Sequence, residues 1–250
     1  MRKVSFLLTV ICIFPFIYIL VLSFRDLNGG FTLQYYYEVF LAKSQYLVCF
    51  WKSLAISVCI AAGQVIVSVL AGYGFAKYKF PGKNIMFFAL LILMIMPLQV
   101  TLVPNYIILD EIGMLDTYYA LILPAIFIPL GTFIMTQSFK SVPNEIIEAA
   151  RLDGCNTMEI ICRIAAPMNK SGLVCTMLLS FLDGWNLVEQ PLVYLNELKD
   201  YPISVALASV SLEEPTIQLV CCLLVVLPPL FLFSYFNREL VEGIAIGGEK

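Results

Sequence analysis

The sequence predicts an all-α, polytopic membrane protein whose six transmembrane helices form one domain over residues 1–250. The first observation is composition: hydrophobic residues make up 60% of the chain, charged residues 13%, and the mean hydropathy is +0.89. Soluble domains carry about 25% charged residues, which excludes that class. The second observation is six long apolar runs, and the third is the one-sided placement of basic residues between them.

Each apolar run is long enough to cross about 30 Å of hydrocarbon as a helix of roughly 20 residues. The first run follows Arg2 and Lys3, as in a signal peptide, but it is too long for one and lacks a small-residue cleavage site before Arg25. We therefore interpret it as a retained membrane anchor. The six predicted spans are Val4–Phe24, Trp51–Ala76, Ile85–Val103, Tyr118–Ser138, Ser171–Val188 and Ile217–Phe236.

The basic residues predict that both termini are cytoplasmic, because cytoplasmic loops of membrane proteins collect Lys and Arg. With the N-terminus inside, eleven of the fifteen basic residues lie on the cytoplasmic side: Arg2, Lys3, Lys77, Lys79, Lys83, Lys140, Arg151, Arg163, Lys170, Arg238 and Lys250. Ten acidic residues then lie outside: Asp26, Glu38, Asp110, Glu111, Asp116, Glu189, Glu197, Asp200, Glu213 and Glu214. This acidic outer surface argues mildly against an anionic solute, which it would repel.

Prolines and glycines within the spans predict bends and close helix packing. Pro97, Pro124 and Pro129 each remove a helix hydrogen bond and favour a kink. Gly72 and Gly74 leave room for a neighbouring helix. Both features are common in membrane helices, so we interpret them as structural rather than functional.

The segment 139–170 between the fourth and fifth spans is too polar to cross a bilayer and is predicted to be a cytoplasmic loop. Asn144–Leu152 is typical of a short helix, and Gly154 is a natural stop for it. Asn156 with Glu159 three residues later resembles a capping box that starts a second helix. Pro167 marks the end of that second helix.

The charge of this loop favours a protein partner over lipid headgroups. Four acidic residues, Glu145, Glu148, Asp153 and Glu159, accompany Arg151 alone between positions 144 and 159. A helix that lies on an anionic membrane surface carries basic residues instead. We therefore expect the loop to dock into a groove on a cytoplasmic protein.

No catalytic, metal or nucleotide site is predicted in this chain. It has no histidine, no C-x-x-C pair among its eight cysteines, and no G-x4-G-K-[ST] run to cradle phosphates. Most of the cysteines lie in predicted spans or face the reducing cytoplasm, so no disulfide framework is expected. We predict a protein that is not an enzyme, binds no cofactor or metal and has no nucleic-acid partner.

The loop also carries a family resemblance. Glu148-Ala149-Ala150, Gly154, Ile164 and Pro167 resemble the EAA loop of permease subunits in binding-protein-dependent ABC importers, whose pattern is EAA-x3-G-x9-I-x-L-P. Ala166 replaces the leucine of that pattern. The likeness covers nearly the whole chain and is strongest with the maltose-type second permease of the carbohydrate-uptake branch. It extends to residues 76–83, 97–104, 120–124 and 185–186 and to the tail 243–250. Lys52 precedes Ser53 where such permeases usually have Asn-Ser.

The resemblance implies the ABC importer permease fold and a role as one permease subunit of a sugar importer in the cytoplasmic (inner) cell membrane. It implies four kinds of partner: a second permease subunit, two ABC ATPase domains that bind ATP and Mg²⁺, an extracytoplasmic solute-binding protein, and membrane lipid. The loop 189–215 would probe the solute-binding protein, and the cytoplasmic tail 237–250 would reach the ATPase interface. The implied ATPase contacts are Glu148, Ala149, Ala150, Gly154, Ile164 and Pro167 in the loop, and Gly243, Gly247 and Gly248 in the tail.

Three residues of the fifth span are candidates for the solute path. Asp183 is the one acidic residue within a predicted span, where a charge is costly unless it faces water or protein. It would line the sugar path with Asn186, and Trp185 would stack on a sugar ring. Alternatively, the span is shorter, Asp183 lies at its outer mouth, and Trp185 is an interfacial anchor.

Other function classes make different demands on the sequence. An ion-coupled secondary transporter places several ionisable residues at the bilayer midplane, and a membrane-embedded enzyme clusters His, Asp or Glu at one depth. Asp183 alone meets neither demand. An ABC permease for a non-sugar solute stays open, because sugar is favoured by the resemblance alone.

Overall fold

A computed structural model describes residues 2–25, 30–42, 45–210 and 215–248, and their secondary structure is helical throughout, without a β-strand in these ranges. Two π-helical turns, Glu38–Ala42 and Ile161–Ala165, and a 3₁₀ turn, Leu198–Asp200, supplement the α-helices. The α-helices are α1 (Arg2–Ser23), α2 (Gln34–Tyr37), α3 (Gln45–Lys77), α4 (Lys83–Ile95), α5 (Leu98–Glu111), α6 (Tyr118–Ile126), α7 (Pro129–Lys140), α8 (Asn144–Leu152), α9 (Thr157–Ile160), α10 (Ala166–Met168), α11 (Lys170–Trp185), α12 (Glu189–Tyr194), α13 (Ile203–Val210) and α14 (Pro215–Gly248).

Three stretches of helix are long and apolar enough to cross a membrane, and they contain the second, fourth and sixth predicted spans. They are Gln45–Lys77, Tyr118–Lys140 and Ile217–Gly243. The sixth span was predicted to end at Phe236, where α14 departs from helical geometry. Helix α1 matches the extent of the first predicted span, whereas α11 has 16 residues and is shorter than a full span. A total of six spans therefore remains a prediction.

The third predicted span, Ile85–Val103, is broken in the structure, and the kink predicted at Pro97 is confirmed. Helices α4 and α5 meet at 105° around Pro97, and this bent pair is at most one broken span. Pro97 has no N–H to continue the helix, and it confines the preceding Met96 to an extended conformation, with φ −66° and ψ 127°. Mean hydropathy does not register such a break, because the residues on both sides of it are apolar.

Helix α3 is the centre of the bundle: α6, α7 and α11 pack on it, α14 packs on α11, and α1 packs on α14. Gly72 allows α3 to approach α7, because a Cβ at this position would lie 2.6 Å from the Cβ of Met135. Close packing was also predicted for Gly74, but among the described residues no other element of this chain lies within 4 Å of the corresponding position.

The two ends of α3 hold the two longest segments between the spans. Lys77, at one end, contacts the segment 139–170, and Lys52, near the other end, contacts the segment 189–210. The second segment was predicted as a long loop, but its described part folds into α12, a 3₁₀ turn and α13. Residues 211–214, with Glu213 and Glu214, lie outside the described ranges.

Candidate functional site

Helix α8 forms with the predicted bounds and ends in a Schellman motif. The N–H of Gly154 donates to the carbonyl of Arg151 (3.1 Å), and the N–H of Cys155 donates to the carbonyl of Ala150 (3.0 Å). Gly154 has φ +87°, a left-handed conformation that glycine adopts without steric cost. The stop predicted at Gly154 is confirmed, and the motif fixes the angle between α8 and the helix that follows.

The capping box that starts the next helix is also confirmed. The Asn156 side chain accepts from the N–H of Glu159, and the Glu159 carboxylate accepts from the N–H of Asn156, both at 2.9 Å. This helix then passes through the π turn into α10 and continues to Met168. The predicted end at Pro167 is thus one residue early, since a proline fits within the first turn of α10.

The inner face of the loop is fixed to the rest of the chain. Ile147 and Ala150 are buried in an apolar cluster with Tyr73, Phe139 and other residues of α3, α7 and the π turn. The Lys77 ammonium donates to the carbonyl of Val142 and to the Asn144 side chain, and the hydroxyls of Tyr78 and Thr157 share a hydrogen bond of 3.0 Å. The loop and the end of α3 therefore form one packed unit.

The opposite face of the loop is exposed and both acidic and apolar. We call Glu145, Glu148, Ala149, Leu152 and Met158 the docking face; the first four follow helical spacing on one side of α8. Leu152 is 89% exposed, Met158 56%, and Glu148 forms no ion pair within the described residues. An unpaired carboxylate beside large exposed apolar side chains is a surface suited to a protein partner.

The other predicted loop residues lie away from this face or at its edge. Ala150 is 6% exposed, so its small side chain serves the packing of α8 onto its own chain. Ile164 packs partly buried against the same apolar cluster, and Pro167 is exposed at the exit of the loop. Met158 was not singled out from the sequence, because its exposure depends on how the second helix folds back.

The predicted tail glycines are divided between two environments. A Cβ at Gly243 would lie 2.5 Å from the Cβ of Cys175, so this glycine lets the tail approach the start of α11. Ser171, in the same turn of α11, donates to the Glu242 carboxylate at 2.9 Å. Gly247 and Gly248 form the last turn of α14, beyond this contact, and Lys250 lies outside the described ranges.

The predicted solute-path residues are also separated. Trp185 is 1% exposed; its indole N–H donates to the carbonyl of Val225, and its ring packs against Phe50 and Phe181. A ring enclosed in this way offers no face to a solute, because its neighbours in the same chain cover it. Asp183 and Asn186 are exposed, three residues apart at the end of α11.

A cleft of about 450 Å³ lies between the two breaks in the helical spans. The bend between α4 and α5 forms one wall, and the break between α6 and α7 at Ile128 and Pro129 forms another. Thr101 and Asn105 add polar groups to its lining. The sequence analysis missed this site, although Pro97 and Pro129 mark both breaks; their spatial proximity is a tertiary feature.

Three comparisons place the chain among known proteins. Residues 64–242 match the model of a family described as "Binding-protein-dependent transport system inner membrane component". Among curated proteins, the chain is 30% identical to the arabinooligosaccharides transport system permease protein AraQ of Bacillus subtilis, covering 86% of this chain and 78% of AraQ. It is 29% identical to the sn-glycerol-3-phosphate transport system permease protein UgpE of Escherichia coli K12, covering 80% and 74%.

The fold has a solved counterpart. A chain of a bacterial ABC transporter involved in the import of the acidic polysaccharide alginate superposes with a TM-score of 0.78 at 19% identity. The alignment covers 95% of this chain and 94% of that one. This similarity shows that the two chains share one fold.

Proposed function

Since the chain belongs to the family of binding-protein-dependent transport system inner membrane components, we propose that it is one of two permease subunits of an ATP-driven sugar importer. Membership makes it a transport subunit rather than an enzyme. Its partners are a second permease, two ABC ATPase domains that bind ATP and Mg²⁺, and an extracytoplasmic solute-binding protein. Both termini and the docking face are cytoplasmic.

The docking face is the observation that carries this proposal. A groove on an ATPase subunit covers Leu152 and Met158, provides a cationic or polar partner for Glu148, and comes close to the backbone at Ala149. When the ATPases close on ATP, they move the loop. Because the loop packs with the end of α3 as one unit, its movement becomes movement of the bundle, which opens the path to one side or the other.

The solute path of this subunit comprises the cleft between the two helix breaks and the exposed Asp183 and Asn186. Broken helices within a membrane expose backbone groups that bind polar solutes. A sugar fits a lining of mixed polar and apolar groups. AraQ is named for arabinooligosaccharides, whereas UgpE and the alginate importer are named for anionic solutes. Membership of this family therefore does not by itself exclude an anionic solute.

The tail contributes less to the ATPase contact than the resemblance implies. Gly243 packs against α11. Of the three tail glycines, Gly247 and Gly248 at the end of α14 are therefore the ones that contact the ATPase. Trp185 and Ala150 likewise hold the chain together.

Uptake measurements test the proposal and separate it from an ion-coupled carrier. Cells that express the complete transporter are given radiolabelled arabinotriose or sn-glycerol 3-phosphate and treated either with arsenate, which depletes ATP, or with a proton uncoupler while glycolysis maintains ATP. We expect arabinotriose uptake that arsenate abolishes and the uncoupler spares. Uptake that stops with the uncoupler while ATP is maintained would refute the proposal, and uptake of glycerol phosphate alone would refute the sugar assignment.

A further inference from the structure

The end of α3 opposite the docking face is fastened to the segment 197–203 by a polar network. The Lys52 ammonium donates to Oδ1 of Asp200 and to the carbonyl of Lys199, both at 2.9 Å. The Tyr118 hydroxyl, at the start of α6, donates to the same Asp200 oxygen at 2.9 Å. We call Lys52, Tyr118 and Asp200 the outer latch.

The residue next to Lys52 adds a buried bond to the same segment. The Ser53 hydroxyl, 1% exposed, accepts from the backbone N–H of Ile203 at 2.7 Å. The segment is thus held to α3 by side chains on two consecutive residues. Hydrogen bonds from Lys52 and Tyr118 also hold the pKa of Asp200 below its usual range, because they favour the ionised carboxylate.

Helix α3 connects its two ends as one continuous helix of 33 residues. Lys52 and Lys77 are 25 positions apart in one continuous helix, about 38 Å at ~1.5 Å per residue. That helix has no proline, whereas the stretch α6–α7, which packs on it, is interrupted between Ile126 and Pro129. One end is fastened to the segment 197–203, and the other is packed with the coupling loop 139–170.

We propose that α3 is a strut that transmits movement between the cytoplasmic coupling loop and the extracytoplasmic segment 197–203, and that Lys52 is the positioning residue at its outer end. This inference rests on the proposed function, since it assumes that ATPases drive the loop. The proposal gives a role to Lys52, which stands where similar permeases usually have the Asn of an Asn-Ser pair. The latch allows the segment that faces the solute-binding protein to follow the ATPase cycle.

Hydrogen–deuterium exchange tests this role on the complex purified from native membranes into lipid nanodiscs. Exchange is compared without nucleotide and after trapping with ATP, Mg²⁺ and vanadate. In the wild type we expect trapping to change exchange in residues 142–160 and in residues 197–206. In Lys52→Gln and, separately, in Asp200→Asn, the change in residues 142–160 should persist. The change in residues 197–206 should fall by at least about fivefold, the lower range of allosteric coupling.

Lys199→Gln is the matched control. The Lys199 side chain pairs with Glu197, and both are exposed, while the backbone carbonyl that Lys52 uses is kept. This variant should respond like the wild type at both segments. If trapping changes both segments equally in wild type, Lys52→Gln and Asp200→Asn, the strut is refuted and the proposed function stands. If trapping changes neither segment in the wild type, the proposed function fails and the strut fails with it.

Discussion

Replacing Leu152 by Asp should release the ATPase subunits from this chain while leaving its fold intact. Leu152 is 89% exposed, so the chain loses little packing of its own. In the proposed complex the same side chain would be buried in an ATPase groove, where its loss would cost about 1.5–3 kcal/mol and an uncompensated carboxylate would cost more. We expect co-purification of an ATPase from mild detergent to fall at least about tenfold, since 1.4 kcal/mol is a factor of ten.

Leu198→Asp is the control for this experiment. Leu198 is 70% exposed but lies in the segment at the opposite end of α3, so this variant should retain the ATPase. Thermal unfolding of both purified variants should match the wild type. An undiminished ATPase in Leu152→Asp would show that the docking face is not the attachment site.

The second large effect is expected at Gly72, where α3 and α7 touch. A Cβ in Gly72→Ala would lie 2.6 Å from the Cβ of Met135 and 3.0 Å from the backbone N of Thr136, and that backbone cannot give way without moving α7. Overpacking of this kind costs about 1–3 kcal/mol. We expect a lower unfolding temperature in detergent and weaker ATP-driven uptake.

Gly74→Ala, two residues along the same helix, is the matched control. No other described element of this chain lies within 4 Å of its Cβ position, so the change should be neutral or should stabilise the helix by about 0.5–1 kcal/mol. The two substitutions add the same methyl group, but only Gly72→Ala is predicted to destabilise the protein. Equal unfolding temperatures for both variants would contradict the packing of α3 against α7.

Local signals in the sequence predicted the coupling loop well. The bounds of α8, the stop at Gly154 and the capping box of Asn156 and Glu159 depend on residues within one or two helical turns of each other. Such signals need no knowledge of distant contacts. Burial, by contrast, depends on distant contacts. Ala150 belongs to the sequence motif, but its side chain is buried because it lies on the side of α8 that packs against α3 and α7.

Predictions at membrane depth were less complete, and for a physical reason. Hydropathy recovers apolar length, so it located α3 and α14. Pro97 predicted a kink, but its size of 105° depends on the helices packed around it. The roles of Trp185 and the cleft depend on which helices become neighbours. Trp185 is enclosed by Phe50 and Phe181, and the cleft forms where two breaks far apart in sequence come together.

A crosslinking measurement tests the central claim most directly. A photoreactive benzoylphenylalanine is placed at Ala149, the exposed small residue of the docking face, and in a second sample at Leu198. After irradiation of intact membranes, the account predicts that position 149 crosslinks to a protein with an ATP-binding cassette and that position 198 does not. Position 149 crosslinking to lipid alone, or both positions giving the same protein product, would contradict it.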